Sequence, residues 1–110
     1  MIGLAWKIKD VSDFMGRTGL YRLNPRAIFS PAEPTRLVSH VLVSECWHNG
    51  PNTIIFAAND EGILCDWTEL PGTIYGRHDT AGALRAFGYR IIEEKPRESR
   101  KTGGGLTLPR

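Results

Sequence analysis

Two turn signals constrain this chain more than any other feature, because they cut residues 37–67 into three apolar runs. The first, His48-Asn49-Gly50-Pro51-Asn52, combines an Asn-Gly pair suited to positive φ with a proline that cannot extend a hydrogen-bonded ladder. The second, Asn59-Asp60-Glu61-Gly62, is a tight turn with glycine at its left-handed position. The runs on either side, 37–47, 53–58 and 63–67, are rich in β-branched and aromatic residues. Two hairpins in series predict a three-stranded antiparallel meander.

Downstream, Leu70-Pro71-Gly72 breaks the chain and 73–77 reads as a loop or short strand. Asp79 then offers a carboxylate to the free N–H groups of a helix over about 80–87, with Ala83, Leu84 and Phe87 on one side. Gly88 stands at the usual glycine stop, and Tyr89-Arg90-Ile91-Ile92 reads as a last strand. The expected fold class is α+β. It is a small two-layer sandwich, an antiparallel three-stranded meander followed by one helix and a closing strand.

The flanks divide the chain into three parts: an arm over 1–36, a core over 37–92 and a tail over 93–110. Leu4, Ile8, Val11 and Met15 recur at spacings of four, three and four, which predicts a short N-terminal helix stopped by Gly16. Pro25, Pro31 and Pro34 argue against a long helix or a central strand over 16–36. An extended arm with one edge strand near 19–23 is expected instead. From Lys95 to Arg110 the tail has Lys95, Arg97, Arg100, Lys101 and Arg110 against Glu98 alone, and its composition predicts disorder. Removing the +4 of residues 95–110 from the +2 of the whole chain leaves a body near −2, without a composition-level nucleic-acid-binding face.

Several function classes find no support. No apolar run approaches the ~20 residues needed to cross a bilayer, and Lys7, Lys9 and Asp10 interrupt any signal-like segment. The expectation is a soluble protein of a bacterial cytoplasm with no membrane partner. Zinc wants four ligands, but the only short pair is Cys46-x-His48, with Cys65 two strands away at about 9–10 Å. That gap also exceeds the ~7 Å limit for a disulfide. Two buried free cysteines, no metal and no cofactor are expected.

Catalytic arrangements are equally thin. Cys46 and His48 on one strand lack in-line geometry, and Ser39 and Ser44 lack elbow glycines. Asp60-Glu61 is turn chemistry, while Asp66 is placed to accept from the N–H groups of Thr68 and Glu69 and so to anchor Trp67. Gly103-Gly104-Gly105 is followed by Leu106-Thr107 rather than by the lysine of a phosphate loop. A non-enzyme is expected.

The run from Phe56 through Ala58, Gly62, Asp66-Trp67, Glu69-Leu70 and Gly72 resembles an F-x-A-x-x-x-G-x-x-x-D-W-x-E-L-x-G pattern. Small uncharacterised proteins of bacteriophages, prophages and actinobacteria carry it, followed by A-L-R-x-x-G-Y, matched here by Ala83-Leu84-Arg85 and Gly88-Tyr89. Ala57 stands where the pattern often has proline. The resemblance implies a phage or prophage origin and no catalytic or ligand-binding residue.

The functional expectation is an accessory protein acting through contacts with a protein partner. Its candidate surface is Trp47, Trp67 and Tyr75, since aromatics near a sheet edge favour interfaces. The alternative is a nucleic-acid-associated protein using Arg17, Arg22, Arg26 and Arg36 with the basic tail.

Overall fold

A computed structural model describes residues 2–12 and 14–92 of the chain. Its strands are β1 (Gly3–Val11), β2 (Arg17–Ser30), β3 (Glu33–Trp47), β4 (Pro51–Ala58), β5 (Ile74–Tyr75) and β6 (Tyr89–Ile92), with one helix, α1 (Thr80–Phe87). They form a single sheet in the order β5-β4-β3-β2-β1-β6. All neighbours are antiparallel except β1 and β6, where Gly3 to Trp6 pair in parallel with Tyr89 to Ile92. This six-stranded mixed sheet overturns the expected three-stranded meander in a two-layer α+β sandwich.

The N-terminal third accounts for much of the difference. Residues 3–11 form a strand rather than a helix, paired with β2 along most of its length and also with β6 at its start. Trp6-Lys7-Ile8-Lys9 alternates apolar with charged residues, a two-residue period that competes with the four-three-four spacing of Leu4, Ile8, Val11 and Met15. Pairing on both edges settles the competition, because a short isolated helix gains far less than a strand held by two neighbours.

Residues 17–36 are likewise sheet, and the three prolines fall where no ladder donor is needed. Pro25 follows a cis peptide bond in a bulge where the β2–β3 register jumps between Arg22 and Ala27. Pro31 lies in the turn after β2, and Pro34 lies near the free tip of β3.

The third strand of the expected meander is broken. After Asn59, whose Oδ1 accepts from the N–H groups of Glu61 and Ile63, the chain turns back along β4. It touches β4 through a bridge at Leu64, then through Cys65 N–H to the Ala57 carbonyl (2.9 Å) and Leu70 N–H to the Ile55 carbonyl (2.8 Å). Only at β5 does it pair regularly, Ile74 with Thr53 and Tyr75 with Asn52. Between these tethers residues 66–69 arch away from the sheet.

Apolar residues cover both faces of the sheet centre. On one face Val41, Val43, Ile55 and Ala57 pack with Ala83 and Leu84 of α1 and with Leu70. On the other, Leu20, Leu42, Ile54 and Phe56 pack with Phe14 and Leu64. Hence β4 is buried at every position from Asn52 to Ala58, without the alternation a one-sided sheet shows. Thr53 is wholly buried, yet it donates to the Arg77 carbonyl (2.9 Å) and accepts from Asp79 N–H (2.8 Å). Those two bonds tie the start of α1 to β4. The helix has the ends its sequence implies, with Asp79 accepting from Gly82 N–H at 2.9 Å and left-handed Gly88 closing it.

Candidate functional site

The broken third strand creates a groove on the face opposite α1. Cys46 and Asn52, opposed in the β3–β4 register, form its floor with Ile54 and Phe56. Trp67 and Glu69 descend from the 66–69 arch, Tyr75 rises from β5, and Trp47 stands at the end of β3. Together they line a cavity of about 480 Å³.

Each wall is held by neighbours. Trp67 stacks on Phe14 (centroids 5.5 Å apart, 16° between planes) and meets Phe56 edge-on at 5.6 Å. Its arch is pinned by Asp66, which accepts from Thr68 N–H at 2.8 Å and from Arg36 at 3.2 Å. The Asx turn expected at Asp66 is therefore present through Thr68. Asn52 is buried and satisfied on both sides, donating to the His48 carbonyl (2.9 Å) and accepting from Gly76 N–H (3.2 Å). Trp47 meets the His78 ring edge-on at 5.4 Å, and His78 Nε2 donates to the Cys46 carbonyl at 2.9 Å. Gly16 (φ +56°) lets the chain press against β3, since a Cβ there would strike the Glu45 carbonyl.

The three aromatic residues named from the sequence thus share one cavity and remain open to solvent, with Trp47 74%, Trp67 63% and Tyr75 64% exposed. Large apolar rings left this exposed around a concavity are the informative departure from ordinary burial. Glu69, which entered the sequence reading only through its backbone N–H and its place in the D-W-x-E-L pattern, is the carboxylate of this groove, and Tyr75 donates its phenolic hydrogen to it. That hydrogen bond, with a smaller effect of burial, holds the Tyr75 phenol above the usual tyrosine range. Burial, together with the Glu69 charge, pushes the Cys46 thiol up. Cys46 therefore stays protonated at neutral pH and is a poor nucleophile. Among the described residues no hydrogen bond joins it to His48, although both line the cavity. Cys65 is free and exposed, not buried as expected.

The four arginines do not form one surface. Arg17 and Arg22 differ in strand parity and so point to opposite faces of β2. Arg17 is paired with Glu45 at 2.7 Å, and Arg22 lies 4.7 Å from the centre of the Trp6 ring. Arg36 stacks 3.7 Å over Phe29 and pairs with Asp66, while Arg26 is exposed beside the Pro25 bulge. The basic tail lies outside the described residues.

A second, polar cleft of about 250 Å³ lies on the helix side, lined by Lys7, Asp10, Arg17, Tyr21, Glu45 and Thr80. Its charges are matched internally, Lys7 with Asp10 at 2.6 Å and Arg17 with Glu45, which leaves little field for a ligand. Among the described residues no three His, Cys, Asp or Glu side chains are grouped to hold a metal, and no helix is long and apolar enough to cross a membrane. Compared with protein-family models, curated proteins and solved structures, the chain finds no match in any of them.

Proposed function

We propose that this protein is a small non-enzymatic accessory protein, of phage or prophage type, that docks a protein partner in the groove between Trp47, Trp67 and Tyr75 in the cytoplasm of a bacterial host. The observation that carries this reading is the convergence of three exposed aromatic side chains on one cavity of about 480 Å³. Aromatic side chains bury large area at small entropic cost and dominate the energetics of many interfaces. Here the stacking of Trp67 on Phe14 and the Tyr75–Glu69 hydrogen bond fix the walls before a partner arrives. Such preorganisation reduces the ordering cost of binding. The phage or prophage origin rests on the Phe56-to-Gly72 pattern, whose Phe56, Trp67 and Glu69 all line the groove.

Co-purification from native cells tests the reading. Tagged wild-type protein is expected to retain a stoichiometric partner that Trp67→Ala and Trp47→Ala lose. Absence of such a partner, or one held equally by both variants, overturns it.

A further inference from the structure

We infer that the groove selects a cationic side chain, a lysine ammonium and preferentially its N-methylated forms, held against the aromatic rings with Glu69 as counter-ion. This rests on the docking reading above and adds the chemistry of the anchoring group.

Charge complementarity points to a cation. The lining includes the Glu69 carboxylate and no lysine or arginine. The faces of Trp and Tyr rings carry negative quadrupole density that attracts an ammonium within about 6 Å of the ring centroid. Carboxylate and rings therefore favour the same sign of charge. The Tyr75 hydroxyl, which could have served an anion as donor, already gives its hydrogen to Glu69.

The hydrogen-bonding inventory narrows the cation further. A guanidinium is best held by both oxygens of a carboxylate in a two-pronged contact. Glu69 Oε1 is occupied by Tyr75, so that fork is obstructed. A bare ammonium brings three donors to a groove whose other lining is mostly rings and apolar side chains, with His48 at its rim and the Asn52 amide already bonded through both its nitrogen and its oxygen. An N-methylated ammonium keeps the charge, brings fewer donors and offers methyl groups to the ring faces. A cavity of about 480 Å³ has room for that head group and part of its aliphatic stem.

The test uses the intact wild-type protein and three capped lysine probes: unmethylated, ε-trimethylated, and a neutral isostere with carbon replacing the ε-nitrogen. Indole N–H resonances of Trp47 and Trp67 report binding, with Trp6, which lies beneath Arg22 and outside the groove, as internal control. The trimethylated probe is expected to shift Trp47 and Trp67 but not Trp6, and to bind about tenfold more tightly than the isostere. Glu69→Gln, which keeps an acceptor for Tyr75, is expected to remove most of that preference. Equal affinity for the isostere, or no change in Glu69→Gln, overturns the cation assignment while leaving partner docking to the co-purification result. No shift at either groove indole with any probe overturns it as well. A partner held equally by Trp67→Ala and Trp47→Ala in co-purification would instead remove the docking reading itself.

Discussion

Tyr75 on β5 donates its phenolic hydrogen to Glu69 on the arch, joining the two walls of the groove across a break in the sheet edge. This bond is reason to expect alkaline behaviour different from that of a free tyrosine. All three tyrosines are held above the ordinary range, Tyr75 by Glu69 first and Tyr21 and Tyr89 by burial first. A raised folded pKa means that the stabilising protonated form is complete below the unfolded value of about 10 and is lost as pH climbs through the folded value. Phenolate absorbance of the native protein should lag behind that of the urea-unfolded chain. Tyr75→Phe should remove one lagging group and change stability by no more than about 0.5 kcal/mol, because the ring is exposed.

Acid acts in two stages. Burial pushes His40 below its usual value, with Arg22 adding to that effect and Asp60 opposing it. The unfolded chain then takes up the proton first, and stability declines once pH falls below about 6.5. Glu45 follows at lower pH. Burial alone would raise it, but hydrogen bonds from Arg17 and Thr80 and the Arg17 charge outweigh burial and hold it below the carboxylate range. Its contribution is present above about pH 4.3 and disappears as pH falls through the depressed folded value. Melting temperature followed from pH 8 to pH 3 should show both declines, with His40→Gln flattening the first and Glu45→Gln reducing the second, to which Asp66 and Asp79, held low by the hydrogen bonds from Thr68 and Gly82, also contribute.

The parts of this fold that are legible in the sequence are those whose determinants are local. Asp79 and Gly88 bound α1 because each acts on backbone groups within one turn, and Asn49-Gly50 marks the β3–β4 hairpin for the same reason. Residues 3–11 carry two periodicities at once, and only the pairing of Leu4 to Trp6 with both β2 and β6 chooses between them. Run 63–67 has the composition of a strand, but the chain needs Leu70 in the core. Placing Leu70 against Ile55 forces residues 66–69 out of the ladder. The groove is a product of that interruption. Trp47, Trp67 and Tyr75 are visible in the sequence as candidate surface aromatics, and the Asp66 turn is visible too, whereas the place of Glu69 between those rings depends on where the tethered arch returns to the sheet.

The two cysteines should differ sharply in reactivity. Cys65 is exposed beside the arch, whereas Cys46 is 6% exposed on the groove floor with its thiol pushed up by burial and the Glu69 charge. Limited alkylation at pH 7.5, followed by intact mass and peptide mapping, should label Cys65 first and Cys46 only on longer exposure. A groove occupant should slow Cys46 further and leave Cys65 unchanged. Equal rates would mean that the groove floor is more open than its packing indicates.

Two glycines with nearly the same backbone separate local strain from packing. Gly72 (φ +100°) and Gly76 (φ +103°) both occupy the left-handed region, where a side chain costs about 1–2 kcal/mol. A Cβ on Gly76 meets nothing within 4 Å, so Gly76→Ala should cost only that amount. A Cβ on Gly72 would lie 2.5 Å from the Ala83 carbonyl and 2.9 Å from the Phe87 nitrogen, both backbone atoms of α1 that cannot swing aside. Gly72→Ala must therefore push the helix off the chain that carries Leu70, at a further cost of about 1–3 kcal/mol of overpacking. Urea denaturation of the two variants measures the difference. Because Leu70 is also the rear tether of the arch, Gly72→Ala should alter Trp67 fluorescence under native conditions, and Gly76→Ala should not.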